Sequence, residues 1–315
     1  MKRICIIGVG SIGSLYAAHL ARAAEVWAFV RRPEHARAIN EQGIRVTGTH
    51  EFHARPRASC IPAEMPQFDL GIVCCKATQT EEAVRPVAHL FAQGAVLSLQ
   101  NGLGSEEVIH AVTGGQVLRG TTFVSGTRHS DTHVQLELDT EAWMGPYEPS
   151  GTPFSKVKEA AELIIAGGLK AVALEDARSA QWTKLIFNAS VNSVSALTEL
   201  VHSEHYAREE KFDDLGHLLH DLIQEGRSVA EGLGIKLGDD PWEMNKIGSK
   251  TDHPPSMLYD IRNRLKTEVD YLGGAIAREA HRAGLPAPLH TALYRLIRGK
   301  ESSWTYAGKK HEVAR

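Results

Sequence analysis

Residues 4–23, ICIIGVGSIGSLYAAHLARA, decide the fold. The apolar run ICII reads as a buried strand and SLYAAHLARA as a helix. Between them, Gly8-Val9-Gly10-Ser11-Ile12-Gly13 places three glycines at the G-x-G-x-x-G spacing. In a strand–turn–helix unit the first glycine permits the tight turn. The second lets a pyrophosphate approach the backbone, and the third lets helix and strand pack closely. The N–H groups at the start of the helix, at Ser11 and Ile12, then face a phosphate at the positive end of the helix dipole. Gly8, Gly10, Ser11, Ile12 and Gly13 are therefore candidate dinucleotide contacts, set against the plainer reading of an unliganded turn.

Outward from this unit, strands and helices alternate. EVWAFVRR (25–32), FDLGIVCCK (68–76) and AVLSLQNG (95–102) read as strands, and TEEAVRPVAHLFAQ (80–93) and SEEVIHAV (105–112) as helices. Pro86 marks a kink or a first turn. Such alternation predicts a parallel sheet covered on both faces. Residues 44–59 read as an extended hairpin. TTFVSGT (121–127) and HVQLELD (133–139) follow one another without a helix, which predicts an antiparallel end to the sheet. A turn-rich loop at 145–153, a helix at 155–167 and a strand at 170–176 complete this half.

From about Asp176 the pattern is helical to about Gly299. In 256–285, SMLYDIRNRLKTEVDYLGGAIAREAHRAGL, the residues Leu258, Ile261, Leu265, Val269 and Leu272 recur at helical spacing, so the segment reads as a long amphipathic helix with Gly284 as its stop. The polar tail from Ser302 is expected to be loosely held. The fold class expected is an α/β Rossmann-type N-terminal domain with a mostly parallel sheet (1–178, dinucleotide-binding), followed by an all-α C-terminal domain (179–315, substrate-binding and catalytic).

Composition excludes several classes. A net charge of -3 provides no broad basic surface for nucleic acid. No apolar run approaches the ~18 residues that cross a membrane. Four cysteines without a CxxC pair fit reduced thiols and a cytoplasmic protein. Sixteen histidines include the pairs His202/His205 and His217/His220 at chelating spacing. Neither pair has an added carboxylate–histidine constellation, so no metal is expected.

Two stretches carry chemistry. The second strand ends in Val30-Arg31-Arg32, where an NAD site usually has a carboxylate for the ribose hydroxyls. A guanidinium there binds a 2′-phosphate, so Arg31 points to NADP(H). The alternative is two solvated arginines with Glu34 taking the ribose. Lys76 and Asn101-Gly102 end later strands, where ligands of open parallel sheets bind, and Gln79 follows Lys76 by one turn. A solvated lysine and a turn-forming pair are the plainer readings. In KLIFNASVNSVSAL (184–197), Lys184, Asn188 and Asn192 are four apart on an otherwise apolar helix. That polar stripe faces either a bound small molecule or another helix.

Five segments in order, GVGSIG, CCKATQT, LQNGLG, KLIFNASVNSVSALT and PSMLYDIRNRLKTEVDYLGG, resemble the ketopantoate reductase (2-dehydropantoate 2-reductase) family over residues 2–300. The resemblance implies NADPH-dependent reduction of ketopantoate on the way to pantothenate and coenzyme A. It implies a Rossmann domain followed by a helical domain, with the active site in the cleft between them. By position, Lys184 matches the family's catalytic lysine and Glu268 an acid implicated in catalysis or binding. Asn188 and Asn192 match its substrate asparagines, and Ser256 the serine near the substrate carboxylate. Arg31, Lys76, Gln79 and Asn101 match cofactor-cleft positions, Asn101 also orienting the substrate carbonyl. The partner implied is a small 2-oxo acid, and a homodimer through the helical half is expected in a family with both monomers and dimers. The chain departs from the pattern at residues 199–202, where the family often has a further asparagine and this chain has none, and at Pro255-Ser256 in place of a serine pair. The departures leave room for a different 2-oxo acid. A non-catalytic NADPH sensor is a third reading.

Overall fold

Apolar residues of β1 (Arg3–Ile7) and β2 (Glu25–Phe29) are almost wholly buried, as expected of strands covered on both faces. The computed structural model describes residues 1–204, 214–248 and 254–306. The chain divides into two units, Met1–Arg178 and Ser179–Arg315.

In the first unit the remaining strands are β3 (Ile44–Gly48), β4 (Phe52–Ala54), β5 (Arg57–Ser59), β6 (Leu70–Val73), β7 (Ala95–Ser98), β8 (Gln116–Thr122), β9 (Ser125–Ser130), β10 (His133–Leu138), β11 (Glu141–Pro146) and β12 (Lys170–Ala173). The helices are α1 (Ser11–Leu20), α2 (Pro33–Gln42), α3 (Thr80–Val84), α4 (Ser105–Thr113) and α5 (Phe154–Ala166). The main sheet has the order β12-β11-β8-β7-β6-β1-β2-β5. It is parallel from β5 to β8, and β11 pairs antiparallel with β8. The strand order reverses at β1, so the crevice outside the carboxyl ends of β1, β2 and β6 is where an open sheet of this kind holds a ligand. Pro86 does not kink one helix: α3 stops at Val84 and a 3₁₀ turn runs Arg85–Phe91.

The structure adds a layer that the sequence pattern does not reveal. Strands β9 and β10 do not extend the main sheet. They pair with β3 and β4 in a second sheet of order β4-β3-β10-β9, with β3 and β10 parallel. One core joins Ile4 and Ile6 of β1, Leu15 and Leu20 of α1, Ile44 and Val46 of β3, and Val134 and Leu136 of β10. Helix α1 therefore has a sheet on either side. The opposite face of the main sheet packs Cys5, Ile7, Val84, Leu90 and Ile109.

Two glycines fix α1 on β1. Gly8 has φ of +90°, and a Cβ there would collide with the backbone of Cys75. A Cβ on Gly13 would collide with the Gly8 carbonyl.

The second unit is helical: α6 (Arg178–Thr198), α7 (Asp214–Gly232), α8 (Pro241–Gly248), α9 (Ser256–Arg262), α10 (Gly273–Arg282) and α11 (Pro288–Tyr306). Ile186, Val194, Leu222, Ile223, Val229, Ile276 and Ile297 are buried in it. The long helix expected over 256–285 is instead two helices, α9 and α10, joined by residues 263–272. Leu265 N–H donates to the Asp260 carbonyl at 2.8 Å and Arg264 N–H to the Ile261 carbonyl at 3.1 Å. With Arg264 at φ 51°, this is a Schellman stop. Leu265, which the helical pattern places in the core, is 44% exposed. The expected stop at Gly284 has the same pair of bonds, from Leu285 to Ala280 and from Gly284 to His281. The polar tail expected from Ser302 is helical to Tyr306, and the rest of it lies outside the described residues.

Gly13→Ala is expected to lower unfolding free energy by about 1–3 kcal/mol, the range for overpacking against an unyielding neighbour. The denaturant midpoint measures it. An unchanged midpoint would show that α1 can lift off β1.

Candidate active site

The carboxyl ends of β1, β2 and β6 open into a cleft of about 810 Å³. Gly8, Gly10, Arg31, Lys76 and Gln79 all line it. Gly10 is the N-cap of α1, and no side chain caps that terminus. The first intrahelical bond runs from Ser14 N–H to the Gly10 carbonyl. The N–H groups of Ser11, Ile12 and Gly13 therefore have no acceptor within the helix. A Cβ on Gly10 would meet nothing within 4 Å. An open backbone at an uncapped helix start, beside an extended cleft with arginines at one end, fits a dinucleotide with its pyrophosphate over Gly10. Ser11, Ile12, Gly13 and Asn101 are not among the lining residues. Asn101 stands in the 101–104 loop after β7, which enters α4 through Gly102 and Gly104, both at positive φ.

Gln100, which lies in the LQNGLG segment but has no role assigned from sequence, fastens this edge. Its Nε2 donates to the Cys75 carbonyl at 2.9 Å and to Thr80 Oγ1 at 2.8 Å, tying the end of β7 to the turn after β6. The two arginines after β2 differ. Arg32 is bound to Asp131 at 2.7 Å and to Glu34 at 3.2 Å. Arg31 is exposed, lines the cleft and has no ion pair among the described residues. Glu34, the alternative ribose ligand, is thus already paired with Arg32.

In the second unit Lys184 and Glu268 are both buried, each 8% exposed. Burial pushes the Lys184 ammonium down to about 8, and the negative charge of Glu268 opposes that shift. Glu268 is not on a helix, as the sequence pattern suggests, but in the connector after the Arg264 stop. The connector is pinned just before it: Thr267 N–H and Oγ1 donate to Glu301 Oε1 at 2.8 and 2.6 Å. Glu301, on α11, anchors the connector and carries no local sequence signal.

Asn188 is half-buried and Asn192 buried on α6. The Oδ1 of Asn192 accepts from Met257 N–H at 3.0 Å and Ser256 Oγ at 3.3 Å, so Asn192 and Ser256 are brought together at the start of α9. The divergent stretch 199–202 is committed structurally. Glu199, at φ 59°, pairs with Lys300 at 3.0 Å, and its carbonyl accepts from Arg262 at 2.8 Å. His202 is buried with its ring 5.9 Å from that of Phe187. His205 lies outside the described residues. Among the described residues no three His, Cys, Asp or Glu side chains group as a metal site, and no helix is long and apolar enough to cross a membrane.

Comparison with known proteins gives a consistent result. The profile of the ketopantoate reductase PanE/ApbA family matches residues 4–149, and that of the family's C-terminal region matches residues 176–301. The 2-dehydropantoate 2-reductase of Pyrococcus abyssi is 30% identical over 303 residues, covering 95% of this chain and 98% of that protein. A crystal structure of a PanE/ApbA family ketopantoate reductase from Ralstonia eutropha superposes with a TM-score of 0.84 at 26% identity, covering 96% of this chain and 100% of the other. D-mandelate dehydrogenase, solved with NADH and anilino(oxo)acetate, shares the fold with a TM-score of 0.83 at 24% identity, covering 96% of this chain and 100% of the other.

Gly10→Ala separates fold from binding. With open space around the new methyl, stability should change by no more than about 0.5 kcal/mol. Dinucleotide affinity, read by fluorescence titration, should fall about tenfold or more as the pyrophosphate loses its close approach. Undiminished affinity would remove the phosphate from Gly10.

Proposed function

The chain belongs to the ketopantoate reductase family, and we propose that its reaction is the NADPH-dependent reduction of 2-dehydropantoate to pantoate in pantothenate and coenzyme A synthesis. The family's members are oxidoreductases that reduce small 2-oxo acids with a nicotinamide dinucleotide. The observation that carries the proposal is a buried amine at Lys184, which burial brings down to about 8, accompanied by Glu268, on a chain whose first unit has a cleft lined by the glycine fingerprint.

Gly8, Gly10 and the N–H groups of Ser11, Ile12 and Gly13 would hold the pyrophosphate, Lys76 and Gln79 the neighbouring groups, and Arg31 the 2′-phosphate that distinguishes NADP(H). Bound there, the cofactor supplies a hydride. Reduction of a ketone places negative charge on its oxygen, and Lys184 stabilises that charge and delivers the proton. Glu268 keeps the ammonium protonated in a buried setting. Asn188 and the remaining amide group of Asn192 hydrogen-bond the substrate, with Ser256 near its carboxylate and Asn101 near its carbonyl. Four free cysteines, all within the first 75 residues, fit a cytoplasmic setting.

A second reading, reduction of another 2-oxo acid, is favoured by the 199–202 stretch, where Glu199 is tied to Lys300 and a buried His202 packs on Phe187, the neighbour of Asn188. NADPH consumption across a panel of branched 2-oxo acids decides between the two. The highest kcat/KM for a substrate other than 2-dehydropantoate would replace the first reading with the second.

Lys184→Ala should lower kcat by about 10²–10⁴-fold, the range for a lost general acid. Turnover near wild type would end its assignment. Reduction needs the ammonium, so kcat should be level below about pH 8 and decline above it, while the reverse oxidation needs the free amine and should rise through the same pH. Glu268→Gln removes the charge that supports the ammonium, so the alkaline limb should move to lower pH. A limb that stays in place would mean that Glu268 does not act on Lys184.

A further inference from the structure

The turn between β9 and β10, at Asp131 and Thr132, brings a residue of the second sheet to the dinucleotide cleft. Arg128 lines that cleft together with Arg31, Arg32 and His35. Asp131 organises them. Its carboxylate accepts from Arg32 Nη2 at 2.7 and 2.8 Å and from Arg128 Nη1 at 2.8 Å. His35 is 5% exposed, and its Nε2 lies 3.9 Å from the same carboxylate, with no hydrogen bond among the described residues. It sits in the first turn of α2, whose N-terminus no side chain caps.

This arrangement is poorly explained as a stabilising network. The side chains of Arg32, Arg128 and Asp131 are 51%, 35% and 27% exposed, and ion pairs so open to water add little to stability. It does provide an anion site. Three guanidiniums and the buried ring of His35 line one end of the cleft, beside the carboxylates of Asp131 and Glu34. Asp131 takes one amino group from each of two arginines; Glu34 takes the other amino group of Arg32, whereas the remaining N–H donors of Arg128 have no acceptor among the described residues. A guanidinium fork held in this way matches the oxygens of a phosphate monoester.

We propose that Arg128 is a second guanidinium ligand of the adenosine 2′-phosphate, and that Asp131 is the positioning residue that holds it there. The inference rests on the NADP(H) reading above and extends it from Arg31 to a hairpin far along the chain. NADH lacks that phosphate, so Arg128 contributes to discrimination between the two cofactors and not to binding of their shared parts.

The test is calorimetry on the full-length protein with adenosine 2′,5′-bisphosphate and with adenosine 5′-monophosphate, which differ by the 2′-phosphate alone. The wild-type protein should favour the bisphosphate. Arg128→Ala should reduce that preference about tenfold to a hundredfold, the equivalent of a lost charge-assisted hydrogen bond, with monophosphate affinity unchanged. Arg128→Lys should restore part of it, and Asp131→Asn should give an intermediate loss. A wild-type ratio in Arg128→Ala, or an equal weakening of both ligands, overturns the inference. An unaltered ratio in Asp131→Asn overturns the positioning role. If the wild-type protein does not discriminate, the NADP(H) reading itself fails. If discrimination survives in Arg128→Ala and disappears in Arg31→Ala, that reading stands and only the inference is lost.

Discussion

The carbonyl of Gly8 and the Cα of Gly13 lie so close that no side chain fits between them, and the first unit is built on that contact. It seats α1 against β1 and opens the helix start to the cleft. It also sets the height at which the second sheet can pack, because β9 meets α1 at Gly126, where an added Cβ would lie 2.9 Å from Leu15 Cδ1. The glycine fingerprint and the hairpin that carries Arg128 and Asp131 are thus two ends of one packing arrangement. A displaced α1 would disturb both the open helix start at Gly10 and the arginines at the rim, although only the first belongs to the sequence motif.

The second unit has a different organising cost. Desolvating the Lys184 ammonium is unfavourable: even against the opposing charge of Glu268, burial brings the amine down to about 8. A helix buried for packing alone would hold a leucine there. The structure instead supplies a carboxylate from the connector 263–272 and fixes that connector through Thr267 and Glu301. Residues that contribute no apolar burial are held in place by several hydrogen bonds, an arrangement that makes sense where a titrating amine is used.

Much of this was legible from local rules, and the exceptions share a cause. The strand–glycine–helix unit, the parallel sheet and the helical second half follow from periodicity and from glycine's conformational freedom. Gly284 stops α10 as its residue type suggests. Arg264 stops α9 with the same hydrogen bonds but without a glycine, so the apolar spacing reads through it and Glu268 is assigned to a helix it does not occupy. The partnership of β3 with β10 joins strands far apart in sequence, and no local pattern encodes it. Arg31 was visible because it ends a strand beside the fingerprint. Arg128 and Glu301 were not, because each reaches its place through tertiary packing.

The polarity of the α6 stripe can be read further from Asn192. A backbone N–H only donates, so the side-chain atom of Asn192 that faces Met257 must be its carbonyl oxygen, whichever way the amide might otherwise be assigned. Ser256 Oγ meets the same oxygen. The acceptor of Asn192 is therefore spent on holding the start of α9, and what it can offer a ligand is its NH₂ group. With Lys184 a donor as well, the stripe is biased towards donors, Asn188 being the member whose acceptor takes no hydrogen bond among the described residues. Such a surface suits a molecule rich in acceptors, with a carbonyl and a carboxylate and few hydroxyls. A 2-oxo acid has that character, and a polyol does not. On the proposed substrate contacts, the constraint is independent of the residues at 199–202 and bears on the chemical class of the substrate, leaving its side chain to be set elsewhere.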